Sequence, residues 1–293
     1  MRSFFLFFFF VGFRGMRVAV KKFHVLASPS VDRRNYGTSS SLDGGRLLES
    51  STRATRRRER FVQEALFLSS LRHPRIVRML GYTYFPNNRT FALIMEYVSR
   101  GSLFDLLHRS PNLTLLASQA LWFARDIAEG MQFLHRSGVC HRDLKSANVL
   151  VDESSRPKIC DFGLSKEENS ETFTMSAPSV HGTIAWSPPE TLRGQACTSA
   201  SDVYSFGIIM YELLTRRIPY RNLQMAEVVI GVLSASNLRP SMAGVEDVLG
   251  TDVMMRAWHV EPGVRPTFQQ IVDSLDAILR SNSEALNEPI SMV

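Results

Sequence analysis

Two short segments of the chain contain the residues with the clearest chemical potential. Residues 141–148 read HRDLKSAN and residues 161–163 read DFG, so together they supply two carboxylates, a carboxamide and a lysine beside apolar neighbours. Transfer of a phosphoryl group from a triphosphate needs oxygen ligands for magnesium, a positive charge against developing negative charge, and a carboxylate that orients the attacking hydroxyl. These residue types therefore favour phosphoryl transfer.

The elements predicted around these segments form a strand-rich part followed by a helix-rich part. Before Gly101, apolar and β-branched stretches predict strands at Val18–Val25, Ile76–Tyr84 and Thr90–Val98, with one helix near residues 61–71 that ends before Pro74. After Gly101, helical periodicity predicts helices at Leu116–Leu134, Asp202–Leu214 and Thr267–Leu279. This order predicts an α+β fold of two packed lobes with a ligand-binding cleft.

The N-terminal segment, residues 1–13, contains an almost unbroken Phe/Leu run from Phe4 to Phe13 that resembles the apolar core of a signal peptide. No small-residue cleavage site follows, and the run is shorter than the roughly 18 apolar residues that a bilayer span needs. We therefore favour a truncated or replaced start over a signal or anchor, and we do not expect membrane association, although the Phe run leaves that alternative open. The Ser-, Gly- and Arg-rich composition of residues 28–57 predicts a flexible insertion.

The net charge of +6 and the pI of about 9.5 would permit a nucleic-acid partner. The arginines are concentrated in residues 53–78, and such a run is most often a solvated helix face or loop, so we expect no nucleic-acid binding. The three cysteines have neither metal-site nor disulfide spacing. This indicates a reducing compartment, either cytosolic or nuclear, and of the two we expect a cytoplasmic location.

With the motif Val18-Ala19-Val20-Lys21 upstream and Pro188-Pro189-Glu190 downstream, the chain resembles the eukaryotic protein kinase family, and in detail the tyrosine-kinase-like group of serine/threonine kinases. The resemblance extends from about Phe13 to Leu279. It implies the two-lobed kinase fold, with an N-lobe at residues 14–98, a C-lobe at 99–280 and a tail at 281–293. ATP and Mg²⁺ would be the cofactors.

The same resemblance implies roles for individual residues. Asp143 would orient the substrate hydroxyl, Lys145 would contact the γ-phosphate, and Asn148 and Asp161 would hold magnesium. The nucleotide-binding residues would be Lys21 at the α- and β-phosphates, Glu64 holding Lys21, Ala19 and Leu150 on the adenine faces, Met95 behind the adenine, and Glu96 to Val98 bonding its edge.

The resemblance also implies a substrate-positioning segment and a phosphorylation switch. Thr183 is expected to bond both Asp143 and Lys145, and Glu190 is expected to form a buried ion pair with Arg265. Arg142 would be a buried guanidinium that a phosphate can satisfy, on one of the hydroxyls that follow Gly163: Ser170, Thr172, Thr174, Ser176 or Ser179. Lys145 and Thr183 favour serine or threonine over tyrosine as the target, and Ala147 predicts no strong demand for arginine before it.

One departure from the family leaves two functions open. No Gly-x-Gly-x-x-Gly loop precedes Lys21, although members of the family use the backbone N–H groups of this loop to cover the phosphates. Hydrogen bonds to a charged group contribute about 1.5–3 kcal/mol each, so loss of the loop would weaken nucleotide binding. The first alternative is an active serine/threonine kinase with protein substrates and an upstream activating kinase. The second is a pseudokinase or scaffold that binds nucleotide weakly.

Overall fold

The computed structural model describes residues 11–13, 16–24, 59, 62–63, 65–85, 90–110, 115–162, 183–243 and 248–281 of the 293-residue chain. The chain divides into two compact units. Apart from Met1, which groups with the second, the first contains Arg2–Arg72 and Arg78–Tyr97, and the second contains His73–Val77 and Val98–Val293. The predicted N-lobe spans residues 14–98, whereas residues 73–77 and Val98 group with the second unit.

The first unit is built on an antiparallel sheet of four strands, β1 (Val11–Phe13), β2 (Met16–His24), β3 (Met79–Phe85) and β4 (Thr90–Glu96), in the order β1-β2-β4-β3. Within the predicted helix near residues 61–71, a helical stretch at residues 65–70 buries Ala65 and Leu68 on one face and exposes Leu66 and Phe67.

The last residues of the apolar N-terminal run form the edge strand β1. Val11 lies opposite Val18 and Phe13 lies opposite Met16. The predicted insertion at residues 28–57 lies outside the described residues.

The second unit is mainly helical. Its helices are α1 (Leu103–Arg109), α2 (Ala117–Arg136), α3 (Pro189–Leu192), α4 (Ser199–Thr215), α5 (Met225–Leu233), α6 (Thr251–Ala257) and α7 (Phe268–Ser281). A two-stranded ribbon, β5 (Val149–Val151) and β6 (Pro157–Ile159), follows a 3₁₀ turn at Ser146–Asn148. Helix α4 is at the centre, with residues 201–215 all buried. These two units confirm the predicted α+β class.

The prediction of one strand from Ile76 to Tyr84 is wrong at its beginning. Strand β3 begins at Met79, whereas Ile76 forms a parallel bridge to Ile159 of β6. Val77 N–H donates to the Ile159 carbonyl at 2.8 Å, and Ile159 N–H donates to the Arg75 carbonyl at 2.8 Å. The backbone of residues 75–77 therefore bonds to β6 and not to the sheet of the first unit. Across the described residues, no helix is both long and apolar enough to cross a membrane.

Candidate active site

The loop with residues 141–148 is anchored on helix α4 by Asp202. This carboxylate is 1% exposed, and it accepts the backbone N–H of His141 on Oδ2 and that of Arg142 on Oδ1, each at 2.8 Å. His135 Nε2 lies 2.8 Å from the same Oδ2. Asp202 is in the first turn of its helix, where the helix dipole favours a negative charge. The start of the loop is therefore fixed by a rigid element.

His141 connects this loop to the segment that contains Asp161. Its ring is fully buried, and Nδ1 accepts the Asp143 N–H at 3.4 Å. Nε2 therefore carries the ring proton and donates it to the Cys160 carbonyl at 3.0 Å. Burial lowers the pKa of His141, against the opposing influence of Asp202, Asp143 and Asp161. The imidazole is therefore neutral at neutral pH and acts as a fixed hydrogen-bonding link.

Asp143, Lys145, Asn148 and Thr183 form one hydrogen-bonded cluster. Lys145 Nζ donates to Asp143 Oδ2 at 2.8 Å and to Thr183 Oγ1 at 2.9 Å. Asn148 Nδ2 donates to the Asp143 carbonyl at 2.8 Å and to its Oδ2 at 3.1 Å. Among the described residues, every bond to this carboxylate goes to Oδ2, which leaves Oδ1 for a substrate hydroxyl. The predicted direct bond between Thr183 and Asp143 is replaced by a link through Lys145.

Asn148 and Asp161 lie at the same end of the β5–β6 ribbon. Asn148 directly precedes β5, and Asp161 is the second residue after β6. Between them, Cys160 N–H donates to the Asn148 carbonyl at 3.0 Å. Asn148 uses its Nδ2 for Asp143, so its side-chain oxygen is the atom left for a cation. Amide and carboxylate oxygens are the ligands that Mg²⁺ prefers, so the two residues fit the predicted magnesium site.

The structure changes one prediction about Arg142. Its side chain is exposed, so the expected buried guanidinium is wrong, because the residue is held through its backbone N–H on Asp202 while its side chain extends outward. The predicted phosphorylation candidates, including Thr172, Thr174 and Ser176, lie outside the described residues.

The predicted ion pair between Glu190 and Arg265 is present and bidentate. Arg265 Nη1 and Nη2 donate to Glu190 Oε1 and Oε2 at 2.7 and 2.9 Å, and the two side chains are 0% and 8% exposed. Burial alone would raise the pKa of Glu190, but the guanidinium and the Ser201 hydroxyl outweigh it, and the pKa is lowered. This pair ties the segment after Thr183 to the region before α7.

The predicted nucleotide-binding residues are divided between the two units. In the first unit, Lys21 is buried at 9% exposure on β2 opposite Leu93, and Ala19 lies opposite Met95. Glu96 N–H donates to the Arg78 carbonyl at 2.9 Å, and Glu96 Oε1 accepts the Arg78 N–H at 2.8 Å.

The second unit contains Val98, which is buried, and Leu150 of β5, which forms a bridge with Ser102. Glu64 lies outside the described residues. The nucleotide-binding roles of these residues stay predictions.

The sequence-based reasoning missed Glu212 of helix α4. This fully buried carboxylate accepts hydrogen bonds from Ser146 of the loop with residues 141–148 and from the Trp186 indole. The available signal was a single acid within the apolar run of residues 208–214, because a helix that is apolar all round is buried and a charge inside it requires partners.

Fold and site together define a protein kinase, and the comparisons with known proteins agree. The chain belongs to the family described as protein tyrosine and serine/threonine kinase, whose model matches residues 47–275. Lys21 and Ala19 lie before the matched region. The relatives below include members of the tyrosine-kinase-like group, which confirms the resemblance read from the sequence.

Three relatives illustrate the similarity. Serine/threonine-protein kinase CTR1 of Arabidopsis thaliana is 40% identical over 245 residues, covering 80% of this chain and 28% of that protein. Probable serine/threonine-protein kinase drkC of Dictyostelium discoideum is 39% identical over 74% of this chain and 29% of that protein. Mitogen-activated protein kinase kinase kinase 13-A of Xenopus laevis is 37% identical over 75% of this chain and 22% of that protein. The chain thus spans less than a third of the length of each of these three proteins.

Proposed function

We propose that this chain is the catalytic domain of a protein serine/threonine kinase, which transfers the γ-phosphate of ATP to serine or threonine hydroxyls of proteins in intracellular signalling. The observation that carries the proposal is the bridge from Lys145 Nζ to both Asp143 Oδ2 and Thr183 Oγ1. It joins a carboxylate, a cation and a hydroxyl from two separate segments.

In the proposed reaction, Asp143 Oδ1 accepts a hydrogen bond from the substrate hydroxyl and directs its oxygen toward the γ-phosphorus. Lys145 lies beside the same carboxylate, where its charge stabilises the negative charge that develops on the transferred group. Thr183 keeps the Lys145 ammonium in place. Magnesium, held by Asn148 and Asp161, would neutralise phosphate charge when bound.

The nucleotide is proposed to be bound as the sequence predicts. Lys21 would contact the α- and β-phosphates with support from Glu64, while Ala19, Leu150 and Met95 would contact the adenine. The backbone of Glu96 to Val98 would bond the edge of the base. Protein substrates are proposed as partners, together with an upstream kinase that acts on the segment after Gly163. A cytoplasmic location is proposed as well.

Two observations favour serine or threonine as the target. Lys145 and Thr183 are the residue types that suggest this specificity, and two of the three relatives described above, CTR1 and drkC, are named serine/threonine-protein kinases. The pseudokinase alternative has no comparable support, since the cluster of Asp143, Lys145 and Asn148 is complete.

The test is phosphate incorporation from Mg²⁺-ATP by the wild-type chain, by Asp143→Asn, and by Asp252→Asn as a surface control. A general base contributes about 10²–10⁴-fold, so Asp143→Asn should fall to near background while the control retains wild-type activity. Equal incorporation by the wild type and Asp143→Asn would contradict the proposal. Stabilisation by Mg²⁺-ATP without any transfer would support the scaffold alternative.

A further inference from the structure

Three side chains of metal-binding types lie together beside the start of the loop with residues 141–148. They are His135, Cys140 and Asp202, and one donor atom of each lies within 4.8 Å of the donor atoms of the other two. His135 Nε2 and Asp202 Oδ2 are 2.8 Å apart. In the part of the chain that the structure describes, no other three His, Cys, Asp or Glu side chains form such a group. The group combines a nitrogen, a sulfur and an oxygen donor.

The backbone between His135 and Cys140 is a well-defined turn at the end of helix α2. The N–H of Gly138 donates to the His135 carbonyl at 3.0 Å, and the N–H of Val139 donates to the Leu134 carbonyl at 2.9 Å. Gly138 has a φ of 76°, a left-handed conformation that glycine adopts at little cost and that often ends helices. The turn directs the chain back toward the last turn of α2, so Cys140 is placed near His135 by the backbone itself.

The other two donors are also held by their surroundings. Asp202 is 1% exposed, and its carboxylate is oriented by two backbone N–H groups at the start of the loop. The His135 ring packs edge-on against Phe268, with the ring centroids 5.0 Å apart. Such hydrogen bonds and packing orient the ligands of metal sites. Because His135 and Cys140 are partly exposed, an ion from solvent can reach the group.

The donor types indicate which class of ion fits. Mg²⁺ and Ca²⁺ prefer oxygen ligands, whereas a thiolate and an imidazole together favour a softer ion such as Zn²⁺. Zn²⁺ takes four ligands at about 2.0–2.3 Å, which places tetrahedral ligands about 3.4–3.6 Å from one another. The three donors can reach this arrangement through side-chain shifts of about 1 Å. A set of three protein ligands with water as the fourth is common for zinc.

We propose that His135, Cys140 and Asp202 bind a Zn²⁺ ion, with water as the fourth ligand. The ion takes the place of the proton between His135 Nε2 and Asp202 Oδ2, and the imidazole keeps one proton, on Nδ1. Cys140 binds as the thiolate and its proton passes to solvent, so the affinity for Zn²⁺ rises with pH. This inference does not depend on the proposed kinase function. Cysteine spacing could not reveal the group, because the fold brings Asp202 from a distant helix.

The experiment measures Zn²⁺ binding to the whole chain by competition with a chromophoric chelator. Cys140→Val keeps a small apolar side chain and removes the sulfur donor. Cys197→Ala is the matched control, since Cys197 is a second partly exposed thiol that does not belong to the group. We expect one equivalent of Zn²⁺ on the wild type and on Cys197→Ala, and an affinity about 100-fold lower for Cys140→Val. Equal affinities of the wild type and Cys140→Val would overturn the proposal.

Two further variants and probes test the individual ligands. His135→Gln keeps an N–H donor for Asp202 but loses the imidazole, so it should also bind Zn²⁺ about 100-fold more weakly. Cd²⁺ in place of Zn²⁺ should give the ultraviolet charge-transfer absorption of a cadmium–thiolate bond in the wild type and not in Cys140→Val. If His135→Gln does not fold, the comparison of Cys140→Val with Cys197→Ala still decides the question.

A structural measurement then locates the ion. Crystals grown with Zn²⁺ should show an anomalous scattering peak about 2.0–2.3 Å from His135 Nε2, Cys140 Sγ and Asp202 Oδ2. Zn²⁺ should also raise the midpoint of thermal unfolding of the wild type more than that of Cys140→Val, because the three ligands meet only in the folded chain. A peak at other residues, with none at this group, would show an adventitious ion only and would refute the site.

Discussion

Replacing Arg265 by methionine tests how much the buried ion pair with Glu190 contributes to folding. The substitution keeps an unbranched side chain but removes both N–H donors to Glu190 and the donors to the carbonyls of Ala200 and His259, at 2.7–2.9 Å. Glu190 would then remain as a largely buried carboxylate without its counter-ion.

Removing one partner of a buried pair costs about 3–5 kcal/mol, whereas the free energy of unfolding of a domain is only about 5–15 kcal/mol. For a domain of this size, about 2–4 °C is lost per kcal/mol, so the midpoint of thermal unfolding should fall by about 6–20 °C. The exposed pair of Arg256 and Asp252, 48% and 81% accessible, is the matched control. Arg256→Met should change stability by less than about 1 kcal/mol.

The assay is thermal and urea unfolding of the wild type and both variants, from pH 7 down to the lowest pH at which the wild type stays folded. The folded-state pKa of Glu190 lies below its ordinary value of 4.5, so its contribution is present above that value and is lost as the pH falls through the lower, folded-state pKa. The difference between wild type and Arg265→Met should therefore shrink at the acidic end. A midpoint for Arg265→Met equal to that of Arg256→Met would refute this account of the pair.

Two further predictions address the site and the packing beneath it. Thr183→Ala removes the hydroxyl that holds Lys145 Nζ, so kcat should fall by about 10–100-fold. Thr183→Ser keeps the hydroxyl and should retain most activity. Equal kcat values for the two variants would contradict the contact between Thr183 and Lys145. In Gly130→Ala the new Cβ would lie 2.8 Å from Ile159 Cδ1, 3.0 Å from Arg75 Cβ and 3.1 Å from the Arg75 carbonyl oxygen. The Ile159 methyl can move but the Arg75 backbone cannot easily do so, and unfolding measurements should show a loss of about 1–3 kcal/mol. Gly263→Ala, where the Cβ meets nothing within 4 Å, should show no such loss.

The sequence could locate the proposed catalytic cluster because its members lie within short segments. Asp143, Lys145 and Asn148 are so close in the chain that a single loop brings them together, and the partner of Glu190 followed from the family resemblance. The partners of Glu212 are separated from it by 26 to 104 residues and share no spacing with one another. An acid in an apolar helix indicates that partners exist, but tertiary packing alone decides which ones.

The strand predicted from Ile76 failed for a related reason. Apolar periodicity shows that a segment is buried, but it does not show which neighbour receives its backbone hydrogen bonds. In the structure, the carbonyl of Arg75 and the N–H of Val77 bond to Ile159, so the chain groups with the second unit until Val77 and joins the sheet only at Met79.

The loop at residues 141–148 and the segment with Asp161 contain features that reduce stability, and the two carboxylates of helix α4 explain why the loop keeps its conformation. Arg142 and Asp161 adopt left-handed backbone conformations, with φ of 70° and 61°, and such conformations cost about 1–3 kcal/mol each. Asp202 and Glu212 add the cost of desolvating two charges. In return, the loop is attached to one helix at both ends before any substrate arrives, so Asp143 and Lys145 need little reorganisation during the reaction. A kinase domain selected for stability alone would have no reason to keep this combination.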